Sequence, residues 1–362
     1  MKKWRLLFQN EFTYGELGSM ISPAIKKAKK EGMIPDTALF NEFKQPSVLY
    51  CYYIDPEKEI DLKYCEKNQI SFQRILSAGG TGVSDTGQIV LSLYFDSLEY
   101  LSPADAQSIM RVLLSAIAEA FSTKFDIECK FRPLNDITIG PKKFTLCTCH
   151  LDGSTVQFRL GIQVKPFSLD VNKIIHPPPE KFADKEGKSV SEVITSIEEA
   201  TGKPSSFLEV EDVLLDSLRR CLGIDFQKGE ITSEETEFIK KAKEAYCSPS
   251  FKFARTERIK FGPVPSGMVR SEYRTKIPQG PMISIVVLTQ AGKIKNILIN
   301  GSLQVSPLEV IEHLENTLLE TEVLEESIRK KVEEVFQIPH VEFPGLTPEN
   351  FSRIILSACS GG

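Results

Sequence analysis

The chain has 362 residues, of which 41% are hydrophobic and 26% are charged, a composition typical of soluble globular proteins. Two domains are expected, because one core rarely fills this length. A net charge of −5 argues against a nucleic-acid or anionic-membrane binder. The longest apolar runs fall short of the roughly 20 residues that a bilayer requires.

The N-terminal sequence and the cysteines indicate a compartment. "MKKWRLLFQNEF" lacks the apolar segment of a signal peptide. The eight cysteines show no CxxC spacing, so reduced thiols are expected rather than a disulfide framework. Four scattered histidines do not suggest a metal site. We therefore expect a cytoplasmic protein, and a monomer.

The first half of the chain reads as strands beside a helix. Residues 46–53 and 88–95 are short runs of β-branched and aromatic residues. A helix is predicted to begin with Ser102 as N-cap, Pro103 at the first position and Asp105 at the third. Three strand candidates follow within 135–164, joined by a Gly-Pro turn and an Asp-Gly turn. This order predicts an α+β fold.

The second half turns helical and then forms a smaller unit. Helices are predicted over 209–224 and 231–246, the latter with a capping box of Thr232 and Glu235. The periodicity breaks near 248–267, and a hairpin follows over 281–302. The last helices are predicted over 306–319, with Ser306, Pro307 and Glu309 at its start, and over 323–336 and 347–358. We therefore divide the chain into domains at 1–250 and 251–362.

A glycine-rich segment, "RILSAGGTGVSDTG" (74–87), is the first candidate for chemistry. Glycines let a ligand approach the backbone and leave N–H groups free for an anion. The segment matches neither of the common phosphate-binding patterns, GxxxxGK[ST] and GxGxxG. A flexible turn between strands is the alternative interpretation.

The second candidate lies about fifty residues further on, in "NDITIGPKKFTL" (135–146). It places Asn135 and Asp136 before a strand, and Lys142 and Lys143 after the following turn. A lysine that faces a glycine loop neutralises a phosphate or carboxylate in a cleft. The alternatives are a solvated turn for the lysines and a strand-starting cap for Asp136.

In this order and spacing the two segments resemble the lipoate–protein ligase family. The first resembles its Arg-Arg-x-Ser-Gly-Gly-Gly-x-Val-x-His-Asp-x-Gly hallmark, and Lys143 of the second falls on its catalytic lysine. The likeness extends over nearly the whole chain and includes "GKIKNILINGSL" (292–303), which resembles the hairpin of the family's accessory domain.

The resemblance implies a biotin/lipoate-ligase-like mixed or antiparallel sheet flanked by helices, plus a small α+β C-terminal accessory domain. It implies ATP-dependent activation of lipoate to lipoyl-adenylate, with Mg²⁺, and transfer to a lysine of a lipoyl carrier domain. The carrier would be the E2 component of a 2-oxoacid dehydrogenase or the H protein of glycine cleavage.

The resemblance also implies residue roles. Lys143 would be catalytic, Asp136 would suit Mg²⁺, and Arg74 would hold the dithiolane end or a phosphate. A surface ion pair is the alternative for Arg74. The other residues expected to bind substrate or ATP are Ser77, Gly79, Gly80, Thr81, Val83, Asn135, Thr145 and Gly161. Ile89 and Leu91 are expected to line the acyl slot with Val83, although the same alternation fits core positions.

The chain departs from the family pattern at several positions. Ile75 replaces the second arginine, Ala78 the first glycine and Ser84 the histidine, while Thr145 and Leu146 replace Ser-Gly. Two other functions therefore stay open. One is an octanoyl- or lipoyl-transferase on the same fold, which would need a nucleophile such as Cys147 or Cys149. The other is a ligase-like protein with an altered acyl substrate or without catalysis.

Overall fold

The computed structural model describes residues 1–101, 105–133, 135–177, 179–182, 190–278 and 280–361. None of the helices in these residues is both long and apolar enough to cross a membrane. The prediction for Ser102 and Pro103 lies outside the described residues.

Strands and helices alternate irregularly along the chain. The strands are β1 (Lys2–Phe8), β2 (Thr37–Glu42), β3 (Ser47–Tyr50), β4 (Ser71–Arg74), β5 (Thr81–Ser84), β6 (Gln88–Asp96), β7 (Cys129–Arg132), β8 (Asp136–Ile139), β9 (Lys142–Lys143), β10 (Thr145–Asp152), β11 (Thr155–Gln163), β12 (Ile224–Lys228), β13 (Val269–Lys276), β14 (Met282–Gln290) and β15 (Lys293–Gly301). The α-helices are α1 (Tyr14–Glu16), α2 (Ser22–Lys30), α3 (Pro56–Glu59), α4 (Leu62–Lys67), α5 (Ala106–Phe125), α6 (Val190–Val193), α7 (Ile197–Thr201), α8 (Phe207–Leu222), α9 (Ser233–Tyr246), α10 (Pro249–Lys252), α11 (Glu257–Phe261), α12 (Val310–Thr317), α13 (Glu325–Phe336) and α14 (Pro348–Ser360). A π-helical turn, Leu17–Ile21, joins α1 to α2.

A six-stranded mixed sheet with the order β10-β11-β6-β2-β1-β12 organises the larger part of the chain. β1 runs parallel to both β2 and β12, and the remaining neighbours are antiparallel. One face packs against α5 and α8 through an apolar core that includes Trp4, Phe40 and Phe158. The other face packs against α1, the π-helical turn and α2. β11 is therefore buried along its whole length.

Two three-stranded sheets lie beside the large one and carry the two candidate segments. The sheet β4-β3-β5 contains the glycine-rich segment, with β4 ending at Arg74 and β5 beginning at Thr81. The sheet β7-β8-β9 contains Asp136 at the start of β8 and Lys143 at the end of β9. The two segments thus occupy separate sheets.

The C-terminal unit is the sheet β13-β14-β15 covered by α12, α13 and α14 around its own apolar core. The predicted α+β fold with a small α+β unit at the C-terminus is thus confirmed. The sequence prediction had the β14–β15 hairpin but not β13, whose residues are mostly half-exposed. The domain division at residues 250 and 251 stays a prediction.

Two predicted helix starts are wrong. Asp105 is the N-cap of α5 and not its third residue, because its carboxylate accepts from the Ser108 amide at 2.9 Å. Ser306 does not cap α12, because its backbone is paired with Glu342 and the helix begins at Val310. The capping box of Thr232 and Glu235 at α9 is confirmed.

Candidate active site

A cavity of about 270 Å³ lies where the two small sheets, the large sheet and the C-terminal unit meet. Most of the predicted site residues line it: Gly79, Gly80, Thr81, Val83, Asn135, Asp136, Lys143 and Thr145. The C-terminal unit contributes Lys276, Pro281 and Gln304 to the same wall. The fold therefore brings the two candidate segments together around one space.

Lys143 and Asp136 form an ion pair on the cavity wall. The Lys143 Nζ lies 3.2 Å from Asp136 Oδ1, and Arg132 Nη2 lies 2.8 Å from the other carboxylate oxygen. Burial raises the pKa of Asp136, but the charges of Lys143 and Arg132 outweigh it and hold that pKa below its usual value. Lys142 is exposed, because neighbouring residues of a strand face opposite sides. Of the two neighbouring lysines, Lys143 is thus the one that faces the cavity.

Short polar contacts fix the strands that carry this pair. The side-chain Nδ2 of Asn135 donates to the carbonyl oxygen of Cys147 at 2.8 Å. The Thr145 hydroxyl accepts from the Ile137 amide at 2.8 Å. These two contacts, on either side of Asp136, join the start of β8 to β10. They therefore fix the position of Asp136 relative to the large sheet.

The glycine-rich segment approaches its neighbours too closely for larger residues. Gly79 has φ of +123°, and a Cβ there would lie 3.2 Å from Cys51 Sγ. A Cβ at Gly82 would lie 2.7 Å from a Leu146 methyl group. The Thr81 hydroxyl donates to Glu59 at 2.8 Å. The segment is therefore a fixed part of the wall and more than a flexible turn.

The structure does not place three predicted residues on the wall. Arg74 is fully buried and donates to the carbonyl oxygens of Tyr52, Ile54, Phe251 and Lys252. Desolvation lowers its pKa to about 10. Arg74 therefore joins β4 and the segment after β3 to α10.

Ser77 and Gly161 lie close to the cavity but behind its wall. The Ser77 hydroxyl is buried and donates to the Ala78 carbonyl at 3.3 Å. Gly161 lies in β11, where a Cβ would contact Val90 and Leu146. The expectation that Ile89 and Leu91 line the slot is wrong, because both pack in the core with α5 and α8. Val83 does line it.

Sequence reasoning missed one functional candidate on the wall, Arg159 of β11. Its side chain is 1% exposed and donates from Nη2 to the Ser22 hydroxyl at 2.5 Å. In "TVQFRLGIQ", Gln157, Arg159 and Gln163 alternate with apolar residues. That alternation is a readable signal of a polar face turned toward a buried space.

The thiols of Cys147 and Cys149 are not activated. None of the eight cysteines forms a disulfide, and Cys51 and Cys147 lie on the cavity wall. Burial raises the pKa of the Cys147 thiol well above its ordinary value, and burial raises that of Cys149 as well. His150 follows Cys149 directly and so projects from the opposite face of β10. A cysteine–histidine pair is therefore not formed here.

The comparison with known families gives the identity of the fold. The family model of the lipoyl protein ligase A/B catalytic domain matches residues 23–219. The chain belongs to this family. Membership makes it a lipoate–protein ligase or a related octanoyltransferase, because curated relatives of both kinds match.

Two relatives illustrate this. Lipoate-protein ligase A subunit 1 of Thermoplasma acidophilum is 25% identical over 205 residues, which are 54% of this chain and 76% of that protein. Octanoyltransferase LipM of Halalkalibacterium halodurans is 22% identical over 258 residues, which are 65% of this chain and 93% of that protein. The two activities are thus matched at nearly equal identity.

Solved structures share the fold. P. falciparum LipL1 in complex with lipoate matches with a TM-score of 0.68 at 12% identity and covers 98% of both chains. The T. acidophilum bipartite ligase described with its E2 lipoyl domain gives a TM-score of 0.60 at 21% identity, over 70% of this chain and 97% of that one. A lipoate-protein ligase A bound with ATP gives 0.58 at 19% identity, over 69% and 98%. The predicted lipoate-ligase-like fold is confirmed.

Proposed function

We propose that this protein is an ATP-dependent lipoate–protein ligase. It would activate lipoate as lipoyl-adenylate and pass the lipoyl group to a lysine of a lipoyl carrier domain. The observation that carries the proposal is the Lys143–Asp136 pair, 3.2 Å apart, which lines the same cavity as the glycine-rich segment. Solved members of the fold with ATP or lipoate bound support the same assignment.

Lys143 can serve both chemical steps. In the first step a carboxylate oxygen of lipoate bonds to the α-phosphorus of ATP, and pyrophosphate leaves. In the second, the carrier amine bonds to the acyl carbon, AMP leaves, and the amine gives up its proton. Negative charge grows in both transition states, so a fixed ammonium beside them lowers both barriers.

The rest of the wall suits an acyl-adenylate. Gly79 and Gly80 carry no side chain and line the cavity beside Thr81, so a ligand would be able to approach the backbone there. Asn135 and Asp136 would contact the nucleotide. Asp136 also keeps Lys143 in place, because its ionised carboxylate lies within hydrogen-bond distance of the ammonium.

The residues present fit Mg²⁺ only as a partner of the nucleotide. Among the described residues there is no group of three His, Cys, Asp or Glu side chains that could hold a metal. Mg²⁺ commonly takes one or two protein carboxylates together with phosphate oxygens and water. Asp136, ionised and on the wall, would supply the protein ligand, and the ion would supply further positive charge to the phosphates.

The transferase stays the second candidate, since octanoyltransferase LipM is matched over 93% of its length. A transferase would form a thioester on a cysteine and would need no ATP. Cys51 and Cys147 lie on the wall, but burial raises the pKa of Cys147 and so disfavours its thiolate. This is why we place the ligase first.

Intact-mass analysis of a lipoyl carrier domain tests the proposal. Incubation with the protein, ATP, Mg²⁺ and lipoate should add one lipoyl group, and omission of ATP should abolish the gain. Cys51→Ser and Cys147→Ser should keep the activity. Mass gained without ATP from an octanoylated carrier, and lost in either serine variant, would establish the transferase instead.

We also propose that the protein is a cytoplasmic monomer. None of its eight cysteines forms a disulfide, which suits a reducing compartment. Light scattering should give about the chain mass of 40.6 kDa, and a reductant should leave the melting temperature unchanged. A dimer mass, or a lower melting temperature with reductant, would contradict this.

A further inference from the structure

Arg159 is a buried cation on the cavity wall that the chemistry above does not use. It is 1% exposed, and its Nε and Nη1 atoms have no hydrogen-bond partner. Within the described part of the chain no carboxylate lies within ion-pair distance of it. Two of its donor atoms are therefore available to a ligand in the cavity.

The other buried arginines differ from Arg159. Arg74 has its guanidinium nitrogens bonded to carbonyl oxygens, and Arg255 forms an ion pair with buried Glu315 at 2.5 Å. Arg5 is likewise paired with Glu235 at 2.6 Å. A buried guanidinium with two unsatisfied nitrogens is unfavourable, because those atoms have lost water and found no acceptor in exchange. Such a group points to a ligand that completes it.

The groups around Arg159 do not supply an anion. Ser92 lies directly opposite it on β6, and the Ser92 hydroxyl also lacks a partner. Ser22 accepts from Arg159, and the hydroxyl group of Tyr94 is 2.8 Å from that of Ser22. The ring centroid of Tyr14 lies 5.9 Å from the guanidinium carbon. These neighbours are neutral, so the positive charge of Arg159 is uncompensated.

Arg159 and Lys143 both line the cavity, Arg159 from the large sheet and Lys143 from the sheet β7-β8-β9. Arg159 pairs in register with Thr148 of β10, five residues after Lys143. The chain passes from β9 to β10 at Phe144, and five extended residues span at most about 16 Å at ~3.3 Å per residue. Apolar side chains, among them Leu49, Val83 and Leu146, line the same cavity. An acid with its carboxylate at Lys143 would thus direct its far end toward Arg159.

We propose that Arg159 recognises the far end of the acyl substrate. The acid it selects carries a hydrogen-bond acceptor there, either oxygen or sulfur, in preference to a methyl end. This inference rests on the proposed function, since it assumes that the acid's carboxylate lies at Lys143. Lipoate qualifies through its sulfur atoms, which are weak acceptors, and octanoate does not qualify.

Direct binding of three acids tests the proposal. Calorimetry on the full chain, without ATP or carrier, should give dissociation constants for octanoate, lipoate and octanedioate. We expect octanedioate to bind at least about tenfold more tightly than octanoate, since a charge-assisted hydrogen bond replaces an unpaired donor. In Arg159→Met the affinity for octanedioate relative to octanoate should fall to 1 or below. The affinity for lipoate relative to octanoate should fall less.

The control is Gln157→Met on the same face of β11, two residues away and buried outside the cavity. It should leave both ratios unchanged. If Arg159→Met does not fold, as judged by circular dichroism, Arg159→Lys should fold and show an intermediate ratio. The proposal is overturned if the wild type binds octanedioate no more tightly than octanoate. It is also overturned if neither Arg159 variant changes the affinity for octanedioate relative to octanoate.

The two proposals fail separately. If no acid is ligated with ATP but the ratios behave as stated, the ligase assignment fails and Arg159 keeps its role. If ligation proceeds but the ratios are unaffected by Arg159, only the present inference fails.

Discussion

The amide of Gly79 donates a hydrogen bond of 2.8 Å to the carbonyl oxygen of Leu303. This bond joins the glycine-rich segment to the C-terminal unit through backbone atoms alone. Gln304, the next residue, lies on the cavity wall, and its Nε2 would be 3.3 Å from a Cβ at position 79. The C-terminal unit therefore closes one side of the site at the segment where the adenylate is proposed to bind.

Gly79→Ala should reduce both stability and activity. The backbone φ of +123° is strained for alanine, and the added methyl group would press on Cys51 and Gln304. We expect a loss of about 1–3 kcal/mol in the free energy of unfolding. Gly153→Ala is the control, since Gly153 has φ of +63° with nothing within 4 Å and lies in a hairpin turn. Urea unfolding that gives both variants equal losses would contradict this.

Lys143→Ala should lower the rate of carrier modification by about 10²-fold or more, because the ammonium is proposed to stabilise both transition states. Lys142→Ala should change it little, since Lys142 is exposed on the other side of the strand. Both variants should fold. Single-turnover kinetics measure the difference, and equal, mild losses would show that Lys143 is not catalytic.

Arg74→Met should destabilise the protein without a specific effect on acid binding. The change leaves the carbonyl oxygens of Tyr52, Ile54, Phe251 and Lys252 without their donor, which should cost about 3 kcal/mol or more. The test is thermal melting together with the KM for lipoate below the melting temperature. A normal melting temperature with a raised KM would restore Arg74 as a substrate-binding residue.

The sequence was informative where the site is built from local segments. Asp136 and Lys143 are seven residues apart and meet across one short turn, so their pairing follows from a motif that can be read directly. Two of the four acceptors of Arg74, Phe251 and Lys252, lie 177 and 178 residues further along the chain, and no local pattern indicates them.

Strand faces were harder to assign. β6 is buried on both sides, so alternation alone does not show which side faces the cavity. The sequence predicts Ile89 and Leu91 on the cavity side, whereas both pack in the core on the other side of the sheet. β11 is also buried on both sides, but its sequence distinguishes the two faces. The alternation of Gln157, Arg159 and Gln163 marks a polar face, but its meaning depends on the cavity that other elements create.

Glu211, a buried residue of α8, should make the unfolding free energy depend on pH. Burial, followed by the charges of Glu42 and Asp212, raises the pKa of its carboxyl to about 7. Between about pH 4.5 and 7 the folded state therefore holds a proton that the unfolded state has released. The unfolding free energy should fall as the pH rises through this window.

Glu211→Gln should remove this part of the pH dependence. One pKa unit corresponds to about 1.4 kcal/mol, and solvent at the edge of Glu211 screens part of the effect, so we expect ~2 kcal/mol. The variant should match the wild type near pH 4 and exceed it by this amount at pH 8. Urea unfolding at the two values of pH measures the difference. A variant that is less stable than the wild type at pH 8 would mean that the Glu211 carboxylate is stabilised by the fold and that its pKa is not raised.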